Sequence, residues 1–341
     1  MPKVEEALPS LEEWGKRWNK KTHKHVVFSP DDSDLIPNAL STEIPALDKM
    51  LGGGFCRGRT TTVFGEPSSG KTLLTQLLIA STQRQGGKAM FFDIEHTYDP
   101  RWFRMTGVDT SDEALIVVRP ANLEQTFDML QDALANLRPD VIVVDSIPAM
   151  IPKTILEAEM EKQDFRGVHA RKITEGMGQC TQANVDTVLV FINQTRISMG
   201  IKFGNPESLP GGKGIRFYSS VLIRTRRGTW LYDSGEGTDM GEWEEDTDKP
   251  KTGFTLKLRA EKNKLAPPFQ ECAFDFYFDG TVDWTSSLVH EALTKGVILS
   301  PSKGYFEIPD LYEGKIHGRP KLENILREDK ELKDKIMELT L

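Results

Sequence analysis

Nothing in this sequence reads as a membrane span or a disulfide framework. There is no run of about 18 apolar residues, and the amino terminus, MPKVEEALPSLEEWGKRW, is too charged to be the apolar stretch of a secretion signal. These absences predict a soluble, cytoplasmic chain with no membrane partner. Cysteine is scarce: Cys56, Cys180 and Cys272 are odd in number, widely spaced and without a CxxC pair, which argues against a disulfide scaffold and a zinc site. No internal repeat or low-complexity tract is visible. Positive charge is also in deficit. A net charge of -8 weighs against a phosphate-bearing partner. The deficit is local, however: residues 233–249 hold eight acids and one lysine and so carry -7, leaving -1 for the rest. A nearly neutral remainder can still present a basic groove.

What is present is enough apolar residue, 38% of 341, to bury one large core with small appendages. Ser10 and Glu13 form a capping box ahead of Leu11, Trp14 and Trp18, whose spacing predicts a short amphipathic helix in an arm over residues 1–40. From Thr60, the apolar runs TTTVF, KAMFFDIE, ALIVV, VIVVDS and TVLVFINQ alternate with helical patterns, the mark of βα units around a mostly parallel sheet. Strands near 219–226 and 253–259, joined by the acidic segment, are expected to extend that sheet in antiparallel fashion. This core is placed at 41–284. A small α/β region follows at 285–341, with helices over 287–295 and 320–341 flanking a hairpin-like YFEIPDLYEGK.

The chemistry begins at Gly65-Glu66-Pro67-Ser68-Ser69-Gly70-Lys71-Thr72, a G-x-x-x-x-G-K-[ST] match between a strand and a helix. Its glycines let backbone N–H groups curl around phosphates, Lys71 reaches the β/γ oxygens, and Thr72 ligates Mg²⁺. Asp145 ends the run VIVVD, where a carboxylate faces the same crevice and holds Mg²⁺ through water. Glu95, in FFDIEHTYDP, could polarise the attacking water or could be an ordinary surface glutamate. Asn193 and Gln194 close VLVFINQ, and a glycine-rich loop over 194–217 follows. Arg196, Lys202, Lys213 and Arg216 supply its charge, Met199, Ile201 and Phe203 its apolar groups, a composition suited to gripping a nucleic-acid backbone.

The stretches GEPSSGKT, FFDIEHTYDP, VIVVDSIPAMIPK, FINQTRISMGIKFGNPES and AEKNKLAPPF resemble bacterial RecA recombinases, in order and spacing, over roughly residues 40–341. That resemblance implies an α/β, RecA-type P-loop NTPase core with a mostly parallel central sheet, an N-terminal helical arm and a small C-terminal α/β domain. It implies an ATP- and Mg²⁺-dependent, DNA-stimulated ATPase that polymerises helically on single-stranded DNA and pairs it with double-stranded DNA during repair. Glu95 becomes the general base, Gln194 a γ-phosphate sensor coupled to Arg196 through Phe217, and Lys262 and Lys264 the cations supplied in trans to a neighbour's phosphates. Trp102 takes the adenine-stacking position with Asp99 near the adenine amine. The first DNA loop corresponds to about 157–167, where the sequence is acidic and leaves Lys162 and Arg166. Arg226 and Arg227 match a basic pair near the DNA-facing loops. Leu11, Trp14 and Trp18 become polymerisation contacts. Lys295, Lys303, Lys315, Arg319 and Lys321 become candidates for duplex DNA, and residues 233–249 for an autoinhibitory acidic element. The rivals are a RecA-core helicase, disfavoured by the KNK and FGNPE segments, and a mediator or regulatory paralogue without strand exchange.

Overall fold

A computed structural model describes residues 9–22, 26–158, 167–197, 207–232 and 250–340. It divides into two compact units, Met1–Asn38 and Ala39–Leu341. In the first, the capping box forms as expected: Glu13 N donates to Ser10 Oγ at 3.2 Å and Ser10 N to Glu13 Oε2 at 2.9 Å, starting the helix Leu11–Thr22. The Trp14 and Trp18 rings lie 5.9 Å apart, and the Lys21 ammonium sits over Trp18.

The second unit is built on nine strands: β1 (Thr60–Gly65), β2 (Ala89–Asp93), β3 (Leu115–Val118), β4 (Val141–Asp145), β5 (Val188–Gln194), β6 (Val221–Tyr232), β7 (Lys251–Asn263), β8 (Glu271–Tyr277) and β9 (Val282–Asp283). Their order is β9-β8-β7-β6-β1-β5-β4-β2-β3. The pairs from β6 through β3 are parallel and those from β6 through β9 antiparallel, as the sequence pattern predicts. Side chains alternate along each strand, so the near-continuous apolar runs cover both faces. Val63, Phe91, Val143, Val190 and Ile223 join one buried cluster, while their neighbours Phe64, Phe92, Val144, Phe191 and Leu222 join another. The helix Lys71–Arg84 is buried from Leu73 through Thr82, consistent with its nearly unbroken apolar and small residues.

After Trp284 come the helix Thr285–Lys295, a three-stranded sheet (Leu299–Ser302, Tyr305–Ile308, Tyr312–His317) and the helices Arg319–Glu328 and Lys330–Thr340. Leu288, Val289, Ile308, Ile316, Leu322 and Ile336 give this region its own core. Two sequence expectations need correcting. The single helix over 320–341 is two, because Asp329 adopts extended geometry (φ -99°, ψ 91°) and its side chain caps the next helix through Leu332 N at 2.9 Å. The hairpin gains a third strand, Leu299–Ser302, whose exposed LSPS has no alternation to announce it. Among the described residues no helix is long and apolar enough to cross a membrane.

Candidate nucleotide and DNA site

Parallel register brings the chemical residues to one edge of the sheet. Gly65 of β1 pairs with Gln194 of β5, and Asp93 of β2 pairs with Asp145 of β4; since Val144 pairs with Phe191, β1 and β5 run two residues past β4 and β2 at the same edge. Ligand sites of open α/β sheets lie at such carboxyl ends. The P-loop leaves β1 there. Gly65 cannot carry a side chain: an added Cβ would lie 2.5 Å from the Thr225 carbonyl oxygen of β6. Gly70 has φ 85°, and Ser68, with φ 57°, also takes the left-handed conformation that curls the loop. The Ser69 and Thr225 hydroxyls, 2.7 Å apart, pin the loop to β6.

Lys71 is buried and donates to the Glu66 carbonyl at 2.6 Å, so it faces the concavity of its own loop. Burial lowers its pKa, opposed by Asp145, Glu95 and Glu66. Thr72 Oγ1 donates to Asp145 Oδ2 at 2.8 Å. A hydroxyl beside a carboxylate is a hard-oxygen pair of the kind Mg²⁺ prefers, and a cation turned onto loop carbonyls suits incoming phosphate, so the residues fit both Mg²⁺ and a triphosphate. A cavity of about 230 Å³ opens over the loop, lined by Ser68, Ser69, Gly70, Lys71, Thr72, Leu73, Trp102 and Phe254.

Glu95 lies just beyond β2, on a turn held from two sides. Ile94 N and Glu95 N donate to the Asp145 carbonyl at 2.8 and 3.2 Å, and the Asp93 carboxylate accepts from Thr97 N at 2.8 Å while pairing with Arg119. Glu95 Oε1 accepts from Ser146 Oγ and, at 3.2 Å, from Gln194 Nε2. The candidate base and the candidate sensor are therefore in direct contact. Asn193 closes the neighbouring loop: its side chain donates to the Pro210 carbonyl at 2.9 Å and accepts from Gln194 N at 2.8 Å. A two-residue ladder, Arg196–Ile197 with Glu207–Ser208, narrows the loop's mouth.

Burial raises the Asp145 carboxyl to about 6, against the lowering effect of the Thr72 hydroxyl. A folded-state pKa above the ordinary 3.8 means that ionisation destabilises the fold, progressively from about pH 4 to about pH 6 and constantly above. The shift corresponds to about 3 kcal/mol. Without Mg²⁺ and nucleotide, wild type should lose about that much stability relative to Asp145→Asn across this window, measured by denaturant unfolding. A difference that does not vary with pH would contradict the assignment.

Other sequence candidates fall in several places. Asp99 caps the helix Pro100–Met105 and is engaged by Arg101, whose hydrogen bonds hold its carboxyl down at about 2; it does not line the cavity. Lys262 donates to the Arg216 and Ser219 carbonyls at 2.5 and 2.6 Å, at the end of the helix Lys213–Tyr218, which also carries Lys213 and the 72% exposed Phe217. Burial and the neighbouring Lys264 lower the Lys262 pKa. Arg226 and Arg227 are exposed on β6, with Arg227 stacked over Trp230. Lys295, Lys303, Lys315, Arg319 and Lys321 are all exposed, Lys315 and Arg319 being paired with Glu307 and Glu323. Lys162, Arg166, Met199, Lys202, Phe203, the side chain of Arg196 and the acidic segment 233–249 lie outside the described residues.

Sequence reasoning missed four residues. Arg224, Lys257 and Arg259 line a second cavity, about 360 Å³, with Arg226, Glu261 and Glu271, because antiparallel register sets Arg226 opposite Lys257 and Arg224 opposite Arg259. The alternation of Lys257 and Arg259 in KLRAE was legible as one strand face. Phe254 in the cavity over the loop 65–72 left no such signal.

A family model described as the RecA N-terminal domain matches residues 10–283. Protein RecA of Thermus thermophilus is 36% identical over 337 residues, covering 98% of this chain and 92% of the relative. Protein RecA of Aquifex aeolicus is 38% identical over 294 residues, 85% and 79% of the two chains. For Protein RecA of Francisella tularensis subsp. novicida the figures are 33% over 315 residues, 91% and 82%.

Proposed function

This chain belongs to the RecA family and is a RecA recombinase, and we propose that it couples ATP hydrolysis between neighbouring subunits to pairing of single-stranded DNA with a homologous duplex. The observation that carries the reading is the contact of Gln194 with Glu95, which joins the P-loop crevice to the start of the glycine-rich loop. Lys71 cradles the β/γ oxygens and Thr72 and Asp145 hold Mg²⁺, which when bound neutralises charge developing on the transferring phosphoryl group. Ser146 and Gln194 fix Glu95 through Oε1, so Oε2 is the oxygen that takes the proton of the attacking water. Loss of γ-phosphate changes what Gln194 touches, and its neighbour Asn193, tied to Pro210, passes the change to both ends of the loop.

Lys262 and Lys264 act on the phosphates of an adjacent subunit, as an arginine finger does in trans. In doing so Lys262 exchanges its partners at the end of the helix Lys213–Tyr218 for phosphate, linking assembly to the same loop. Lys213, Arg216, Arg226 and Arg227, together with Arg196, Lys202 and Arg166, supply phosphate contacts, and Met199 and Phe203 apolar ones. Base pairing rather than protein contact then determines sequence. The helix Leu11–Thr22 serves polymerisation, and the lysines after Trp284 receive duplex. The direct assay is strand exchange between a single-stranded circle and homologous linear duplex with ATP and Mg²⁺. Joint molecules that require homology are expected; hydrolysis without joint molecules would favour the mediator reading.

A further inference from the structure

The phosphate end of the 230 Å³ cavity is fixed by Lys71 and Thr72, and six of its eight lining residues are consecutive, Ser68 through Leu73. The remaining two, Trp102 and Phe254, come from distant parts of the chain and are both aromatic. We infer that Phe254 is a second base-contacting residue, which with Trp102 gives the nucleotide site an aromatic wall and makes Phe254 a determinant of affinity for the nucleoside rather than the phosphates. The inference rests on the reading of this crevice as an ATP site.

Phe254 is set firmly where it is. It lies on β7 opposite Trp230 of β6, and its ring is 6.2 Å from Trp230, 5.9 Å from Phe276 and 6.3 Å from Phe278. Trp230 is in turn flanked by Arg227 and Lys251, at 4.4 and 4.6 Å from its ring centre. Trp102 meets the same group edge-on, 6.1 Å from Phe276. Two positions along β7, on the same strand face, Leu256 would lie 2.7 Å from a Cβ on Gly70. Strand β7 thus runs against the P-loop, and Phe254 is the member of its aromatic group that reaches the cavity. A ring immobilised by its neighbours offers a nucleobase apolar and π surface with little further loss of side-chain freedom. Asp99, the nearby acid, is engaged by Arg101, so stacking rather than a carboxylate contact dominates at this end.

Calorimetric titration of the full chain with Mg·ATP and, separately, with inorganic tripolyphosphate tests this. Phe254→Leu keeps an apolar side chain in the aromatic group but removes the π face. It should weaken ATP binding about tenfold and leave tripolyphosphate affinity within about twofold of wild type. Phe254→Tyr should restore ATP binding. Unchanged ATP affinity in the Leu variant, or equal weakening of both ligands, would show that Phe254 only packs β7. Wild type binding tripolyphosphate as tightly as ATP would overturn the base contact alone, whereas wild type binding neither would overturn the ATP reading beneath it.

Discussion

Glu95→Gln should leave ATP bound while slowing DNA-stimulated hydrolysis by about a hundredfold or more, the usual contribution of a positioned general base. The substitution is nearly isosteric and keeps an oxygen at Oε1 able to accept from Ser146 and Gln194, so the turn carrying residue 95 should hold its shape. That turn is also fixed by backbone bonds to the Asp145 carbonyl and by the Asp93 carboxylate, neither of which is altered. Single-turnover hydrolysis with ATP binding followed in parallel separates the possibilities. A variant that hydrolyses at the wild-type rate removes Glu95 from the chemistry; one that no longer binds ATP makes it a structural residue.

The second large effect concerns the site of Lys262 and Lys264. Replacing both by alanine should lower hydrolysis by about a thousandfold, the scale of a cation supplied in trans to a transferring phosphoryl group. More telling is a mixture of this double variant with Glu95→Gln, each nearly inactive by itself. If the lysines serve a neighbour, random assembly pairs an intact Glu95 with intact lysines at about a quarter of head-to-tail interfaces, and activity returns to roughly that fraction. A mixture as inactive as its components would confine Lys262 to its place at the end of the helix Lys213–Tyr218.

The parallel half of the sheet could be read in advance because each strand is covered on both faces, which leaves runs such as VIVVD and VLVFI with no polar interruption. The P-loop, Asp145 and Gln194 were legible for a related reason: each sits where an apolar run stops, and parallel register brings all such ends to one edge. Spacing leaves Glu95 open to two readings, since it lies past the strand end and owes its position to Asp145 and Ser146, partners far from it in sequence, as well as to the nearby Asp93. Phe254 was hidden because an inward aromatic on an alternating strand says nothing of what lies across from it. The break at Asp329 was missed for a local reason: an Asp between two charged helical stretches looks like any solvent-facing residue until its side chain is seen capping Leu332.

Coupling between DNA and hydrolysis depends on the loop at Gln194 feeling DNA and passing that to Glu95. The most direct test is steady-state ATP hydrolysis by the wild-type chain, at fixed Mg·ATP, with and without single-stranded DNA. The contact between Gln194 and Glu95 predicts slow turnover alone and a rise of at least about tenfold once DNA engages the loop. Turnover of the same rate in both conditions, with ATP demonstrably bound, would contradict it.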